Sequence, residues 1–413
     1  MKLTFKFNPK LNNKQLDIIE ELSYHTSKLY NIANYENREN KVLNYYDMCK
    51  TYKNNYHCEF LHSQTSQQCL KVLDENWKSY FASTKDYNIN PYKYTGKPRP
   101  PKFKNNINKN EIIFTKAAIR IKENILMLSL SKLIKNKFKV QSLNFKLPKS
   151  KIPYDLNNIN QIKIKWDNSS KSWYLLMIYT VEENNVELGD NIMSIDLGLD
   201  NLATCTFKDN PECYIIDGKA IKSKNSYYNK EIAKLTSIKM RQDGDLKYFK
   251  RSKEIIRLQQ KRNNTINDYI HKASKMIIEL AKENNCNIIV IGDFSGVKQN
   301  NEAKSFVQIP QQKMVEKIKY KAELLGIKII MQKESYTSGC SCLDEEEVSK
   351  KYYDKSRRVY RGLFISNNGI KINADQNGSI NILRKYLKCS PRYIKDMTDN
   401  GYVANPIRLS IYK

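Results

Sequence analysis

Hydrolysis of a phosphodiester with divalent metal needs a few carboxylates drawn together by the fold. Two Mg²⁺ ions about 4 Å apart activate water and stabilise the leaving oxygen, and Mg²⁺ prefers carboxylate oxygens. Asp196, in SIDLGLDNLAT, is the first candidate. It lies in the middle of an otherwise apolar strand pattern, where a charge is costly unless paired or bound to metal. Asp375, in INADQNGSINIL, is the second. It stands before a helical pattern, where Asp also serves as an ordinary N-cap. A third acid has two candidates. Glu334 follows the strand pattern IKIIMQ directly, and Asp293 follows NIIVIG. Open α/β sheets gather ligands at the carboxyl edges of their strands, and composition does not choose between the two.

The chain around these acids is strongly basic. Its 413 residues hold 71 Lys and Arg against 43 Asp and Glu, a net charge of +28. Such a surplus implies a polyanionic partner, with nucleic acid first. Hydrophobic residues at 40% and aromatics at 11% exclude global disorder. No apolar run approaches the ~20 residues of a membrane helix, and MKLTFKFNPK has no signal-peptide core. The nine scattered cysteines imply no disulfide framework, so a reducing cytoplasm is the expected compartment.

The elements that must position the acids follow from periodicity. Residues 1–10 alternate as a short strand, and 14–84 read as helices, with Leu70, Leu73, Trp77 and Tyr80 on one core-facing stripe. The segment 90–104, NPYKYTGKPRPPKFK, is barred from regular helix by its prolines. Its Lys97, Arg99, Lys102 and Lys104 interleave with Tyr94 and Phe103, a pattern suited to phosphates and stacked bases. From 111 to 181 strands dominate. Ile162, Ile164 and Trp166 share a face, and DNSSKS turns into a return strand. A β-barrel-like module enclosing the helical insertion is expected, then a linker at 184–190. From 192 onward strands alternate with helices, which indicates a mixed α/β sheet. A long basic helical stretch spans 221–284, with Ile266, Tyr269, Ile270, Ala273, Ile277 and Leu280 on one stripe. The last 25 residues read as a loose tail.

Taken together, SIDLGLDNLAT, IVIGDFSGVKQN, ESYTSGCSCLD, YRGLF and INADQNGSINILRKYL, with LHSQTSQQCLKVLDENWKSYF and GKPRPPKFK upstream, resemble the TnpB (OrfB) proteins of bacterial insertion sequences. These are compact relatives of type V CRISPR effectors. The resemblance implies an RNase H-like, RuvC-type nuclease domain at 190–338 and 372–388. It implies a β-barrel-like wedge domain at 1–10 and 90–183 carrying a helical recognition domain at 11–89. A target-nucleic-acid-binding insertion would occupy 339–371, with a C-terminal tail at 389–413. The implied activity is Mg²⁺-dependent, RNA-guided cleavage of DNA, with two ions and Mn²⁺ able to substitute. The implied partners are a guide RNA from the transposon end and duplex DNA bearing a short adjacent motif. No membrane partner is expected, and the implied location is the bacterial cytoplasm at the nucleoid.

Two departures from the family pattern matter. Where the family carries Glu, Asp, Leu after NIIVI, this chain has Gly292, Asp293 and Phe294. A branch with the ESYTS motif supplies the acid from the next strand, so the resemblance implies the set Asp196, Glu334 and Asp375, with Asp293 as the fallback. The family's zinc site of two CxxC pairs is reduced to Cys340 and Cys342. Structural zinc needs four N or S ligands, so no zinc is expected there. The basic stretch 350–361, with Arg357 and Arg358, would keep contacts to DNA. The alternatives are a nuclease-inactive RNA-guided repressor and, behind it, a DDE-type transposase.

Overall fold

The computed structural model describes residues 1–105, 107–148, 158–182, 188–243, 251–293, 310–360, 362–399 and 405–411. It divides into two compact units, Met1–Val181 and Glu182–Lys413.

The first unit opens on strand β1 (Lys2–Phe7) and continues through helices α1 (Asn13–Glu39), α2 (Tyr45–Thr51), α3 (Tyr56–Glu59) and α4 (Ser63–Ile89). Asn12 and Gln15 form a reciprocal capping box that starts α1. Strands β2 (Ile112–Thr115), β3 (Ile119–Lys122), β4 (Ile125–Ser129), β5 (Ser142–Lys146), β6 (Ile159–Asp167) and β7 (Ser172–Thr180) follow, with α5 (Lys132–Phe138) between β4 and β5. The expected hairpin is β6–β7, in a register that sets Ile162 opposite Met177 and Trp166 opposite Trp173.

Among the described residues these strands form an antiparallel sheet β1-β7-β6-β2 and a second sheet β3-β4-β5. Among the described residues no pairing joins them into one closed barrel; the 3₁₀ turn Lys116–Ala118 lies between β2 and β3. Nor do the helices have a core of their own. Leu22, Leu29 and Leu73 are buried in one cluster with Ile112, Phe114 and Ile162.

In the second unit, β8 (Asn191–Asp196), β9 (Asn201–Phe207) and β10 (Tyr214–Asp217) run antiparallel in turn. Helices α6 (Lys219–Asp243) and α7 (Lys253–Glu283) lead to β11 (Cys286–Asp293), and α8 (Gln311–Glu323) to β12 (Lys328–Lys333). Strand β11 pairs parallel with both β8 and β12, so β8 and β11 are buried and read as apolar runs. The α7 stripe anticipated from the sequence is buried throughout, and it shares a core with Met193, Ile195, Ile289 and Ile291.

Short strands β13 (Leu363–Ile365) and β14 (Lys371–Asn373) precede α9 (Ala374–Leu387), α10 (Tyr393–Asp399) and β15 (Ile407–Leu409). Where it is described, the C-terminal segment is no loose tail. Strand β15 extends the sheet to β12-β11-β8-β9-β10-β15 by pairing parallel with β10. Ile394 is fully buried, and the Tyr393 hydroxyl donates to the Phe207 carbonyl at 2.9 Å. The expected linker at 184–190 falls partly outside the described residues. Among the described residues no helix is long and apolar enough to cross a membrane.

Candidate active site

Three segments carry acids to one cleft of about 530 Å³ in the second unit. Asp196 is the last residue of β8, not a mid-strand residue. Glu334 is the residue after β12, and Asp375 is in the first turn of α9. All three line the cleft, with Asn201, Lys219, Arg358 and Arg408.

The cap of α9 belongs to Asn373, not to Asp375. Asn373 Oδ1 accepts from the backbone N–H of Asp375 at 3.0 Å and of Gln376 at 3.2 Å. The Asp375 carboxylate is directed elsewhere. Its Oδ2 accepts from Asn201 Nδ2 at 2.6 Å, and its Oδ1 from Arg358 Nη2 at 3.1 Å.

The helix is pinned to the sheet by a buried hydroxyl cluster. Ser194 Oγ lies 2.7 Å from Thr206 Oγ1, which lies 3.0 Å from Ser379 Oγ. Gly378 lets the helix come this close: a Cβ there would stand 2.7 Å from Asp196 Oδ2.

The opposite polar side of α9 holds the Glu334 turn. Asn381 Nδ2 donates to the carbonyls of Thr337 at 3.0 Å and Cys340 at 2.8 Å. Thr337 closes onto the Glu334 carbonyl through its N–H at 3.1 Å and its hydroxyl at 2.8 Å. Lys385 Nζ donates at 3.0 Å to the carbonyls of Lys333 and Ser335. The ESYTS motif thus folds as a turn clamped by α9.

Glu334 and Gly292 fit one another. A Cβ on Gly292 would lie 2.0 Å from Glu334 Oε1. The side chain of Glu334 therefore fills the space beside the strand position where a family member would carry Glu. Asp293 ends the same strand but is not among the described residues lining the cleft. Its negative charge nonetheless acts on Glu334. Burial, then Asp293, pushes the Glu334 carboxyl up to about 7. Asp196 is raised well above the usual carboxylate range by burial first, then by the charges of Glu334 and Asp375, with Arg358 opposing.

Among the described residues, no group of three or more His, Cys, Asp or Glu side chains is drawn tightly enough to hold one ion as it stands. Arg358 accounts for part of this, because its guanidinium engages Asp375. Two observations still fit carboxylate ligation of a hard cation. Glu334 Oε1 is buried with no hydrogen-bond partner among the described residues, and the charges of Glu334 and Asp375 add to burial in raising Asp196, against the opposing Arg358.

The neighbouring Arg357 has a different role. It donates to Glu346 Oε1 at 2.8 Å and Oε2 at 3.0 Å, and to the carbonyls of Gly339 and Tyr352 at 3.1 and 2.7 Å. Only 11% of its side chain is exposed. This guanidinium ties together the insertion around the buried Cys340 and Cys342, so Arg357 is occupied internally and does not present itself to DNA.

In the first unit, Lys97, Arg99 and Lys102 are exposed and Lys104 is half-buried. Their loop is strapped to α1 by Asn31, which accepts from Lys104 N at 2.7 Å, and by Asn34, which donates to the Pro101 carbonyl at 2.9 Å.

Sequence reasoning missed Gly292 as a partner of Glu334, and it missed Gly378, Asn201 and the polar grip of α9. A signal was present: Asn377 and Asn381 recur at i and i+4 on a face that is buried.

Residues 176–298 match the family described as Probable transposase, OrfB_IS605. Residues 312–382 match the Cas12f1-like TNB domain. The chain is 29% identical over 241 residues to the CRISPR-associated endodeoxyribonuclease Cas12f2 of Micrarchaeota archaeon, covering 53% of this chain and 41% of that protein. It is 26% identical over 202 residues to the TnpB-like protein ORF457 of Acidianus two-tailed virus, covering 48% of this chain and 42% of that protein. These matches span less than half the length of either relative. In fold, the chain is similar to Cas12f1 as solved in a complex with sgRNA and target DNA. That likeness has a TM-score of 0.62 at 15% identity and covers 90% of this chain and 83% of that one. Its ordered motifs and these matches make the chain similar to the OrfB_IS605 family over residues 176–298 and to the Cas12f1-like TNB domain over residues 312–382.

Proposed function

We propose that this chain is an RNA-guided DNA endonuclease of a transposable element. On this reading the second unit is an RNase H-like, RuvC-type nuclease domain, and the first unit carries wedge and recognition roles. The partners are a guide RNA from the transposon end and duplex DNA with a short adjacent motif.

The observation that carries the reading is that Asp196, Glu334 and Asp375, far apart in sequence, line one cleft, with Glu334 seated against Gly292. Asp196, Glu334 and Asp375 would hold divalent cations, Mg²⁺ foremost, which supply activation of water and neutralisation of charge at the phosphate. The chain's own groups do the rest. Asn201 orients one oxygen of Asp375, and Arg358 holds the other. A DNA phosphate entering the cleft offers Arg358 a second, charge-assisted partner and so releases Asp375 toward the other two acids.

The Arg358–Asp375 pair also favours a second reading, a guided binder that does not cut, because it keeps the third acid engaged. One experiment decides. The protein is purified with its bound RNA, the RNA is sequenced, and a plasmid library bearing the matching target is offered with Mg²⁺. Cleavage by the wild type and none by Asp196→Ala, with RNA and target binding retained, is the expected result. Undiminished cutting by Asp196→Ala removes the site assignment. Guided binding without cutting by the wild type establishes the second reading.

A further inference from the structure

The acids of the cleft repel a phosphodiester until positive charge offsets them, so the cations around the cleft decide how a strand is held. Among the described residues, Lys219, Arg358 and Arg408 line it. Arg358 is engaged with Asp375 at 3.1 Å. Lys219 carries a compact charge on a flexible stem. Arg408 differs from both. It is exposed, and its hydrogen bond among the described residues runs from Nη1 to the neutral Asn201 Oδ1 at 3.1 Å, not to a carboxylate. Asn201 in turn donates from Nδ2 to Asp375 Oδ2 at 2.6 Å. One amide therefore links this guanidinium to an acid of the site, and most of its five N–H donors stay open. Asp200, also in the cleft, is already paired with Lys222 at 2.7 Å.

The backbone that carries Arg408 is fixed independently of its side chain. Strand β15 sets Arg408 opposite Ile215 of β10, and the Ile407 N–H donates to the Cys213 carbonyl at 2.8 Å. Leu409 and Ile411 pack on the core shared with α7. Side chains alternate along a strand, so Arg408 stands on the opposite face from Leu409. That is the face on which Ser194 and Thr206 meet Ser379 of α9.

We propose that Arg408 receives a phosphate of the DNA strand that enters the cleft, so that the C-terminal strand supplies a binding residue of the active site. A guanidinium presents a rigid fork that matches two phosphate oxygens. Arg408 makes that pair without giving up an ion pair, and its bond to Asn201 holds the fork beside Asp375. The inference deepens the nuclease reading and rests on it for the identity of the strand, but its main readout does not involve cutting.

The guide-RNA-loaded Asp196→Ala protein, in Mg²⁺ buffer, is titrated with matching target DNA over a range of salt, with Arg408 kept or changed to Gln or Lys. Each phosphate contact contributes about 0.7 to 0.9 to the slope of log affinity against log salt. Arg408→Gln is expected to flatten the slope by about that much, and Arg408→Lys to restore it. Affinity for the guide RNA alone should change in neither variant. With Asp196 in place and under single-turnover conditions, Arg408→Gln should slow cleavage about tenfold or more, with Arg408→Lys between it and the wild type. An unchanged slope in Arg408→Gln, a change that Lys does not restore, or an equal loss of guide RNA affinity would each overturn the proposal. If the slope responds as expected and the wild type does not cut, Arg408 is a phosphate contact of a guided binder, and only the nuclease reading falls.

Discussion

At position 292 the smallest side chain is what gives Glu334 its place. A single added methyl would stand 2.0 Å from Glu334 Oε1, and a flexible carboxylate answers such a clash by moving. Displacements of about 1 Å at a catalytic group cost on the order of 10²-fold, so Gly292→Ala is expected to lower the cleavage rate by about that factor with target binding intact. The same geometry predicts a transplant. Gly292→Glu combined with Glu334→Ala returns a carboxylate to the same space from the adjacent strand, and it should cut measurably faster than Glu334→Ala alone. Rates no better for the double variant would show that the two backbones do not serve one carboxylate position.

At the scale of elements, α9 is the member on which the site depends. One of its sides meets β8 and β9 through Ser379, and another holds the Glu334 turn through Asn381 and Lys385. The α7–α8 seam shows the opposite balance. Lys321 Nζ is half-buried, donating to the His271 carbonyl at 2.6 Å and to Ser274 Oγ at 2.7 Å. Burial, then Lys317 and Lys275, lower its pKa to about 8. The folded protein therefore binds this proton more weakly than the unfolded chain does. The resulting penalty is complete below pH 8, and stability rises with pH between there and the unfolded lysine value of about 10.4. Lys321→Met removes that titration, so its Tm advantage over the wild type should shrink steadily, or its deficit should grow, as pH is raised from 7 to 10. A Tm difference independent of pH would mean that Lys321 is not held in this way.

At the scale of the whole molecule, a charge of +28 predicts binding governed by counterion release. Affinity for guide RNA and target together should fall by about 10³-fold or more between ~50 and ~200 mM salt. The exposed Lys97, Arg99 and Lys102 project from a segment held to α1 by Asn31 and Asn34, so their phosphate contacts need little further ordering. Reversing all three charges should flatten the log–log salt slope by roughly two to three. An unchanged slope would remove this loop from the nucleic-acid surface.

Much of this was legible in the residues themselves. Apolar runs gave β8 and β11, since strands buried on both faces must be apolar, and IKIIMQ gave the edge strand β12. The 3.6-residue stripes gave α4 and α7, because one face of each packs on a core. Asp196 stood out because a carboxylate in an apolar strand pattern needs a partner, whereas Asp375, before a helical pattern, also read as an ordinary N-cap. What periodicity does not encode is proximity between distant segments. Glu334 and Asp293 both follow strands, and only the pleat, the turn clamped by Thr337 and the bare backbone at Gly292 set one of them in the cleft. The cap at Asn373, the guanidinium of Arg357 turned inward to Glu346, and the joining of residues 407–409 to the sheet likewise depend on neighbours that no local pattern specifies. Sequence by itself determined most of the elements and the candidate acids; the tertiary packing decided which side chains meet, because contacts of long sequence separation are fixed by shape and close approach.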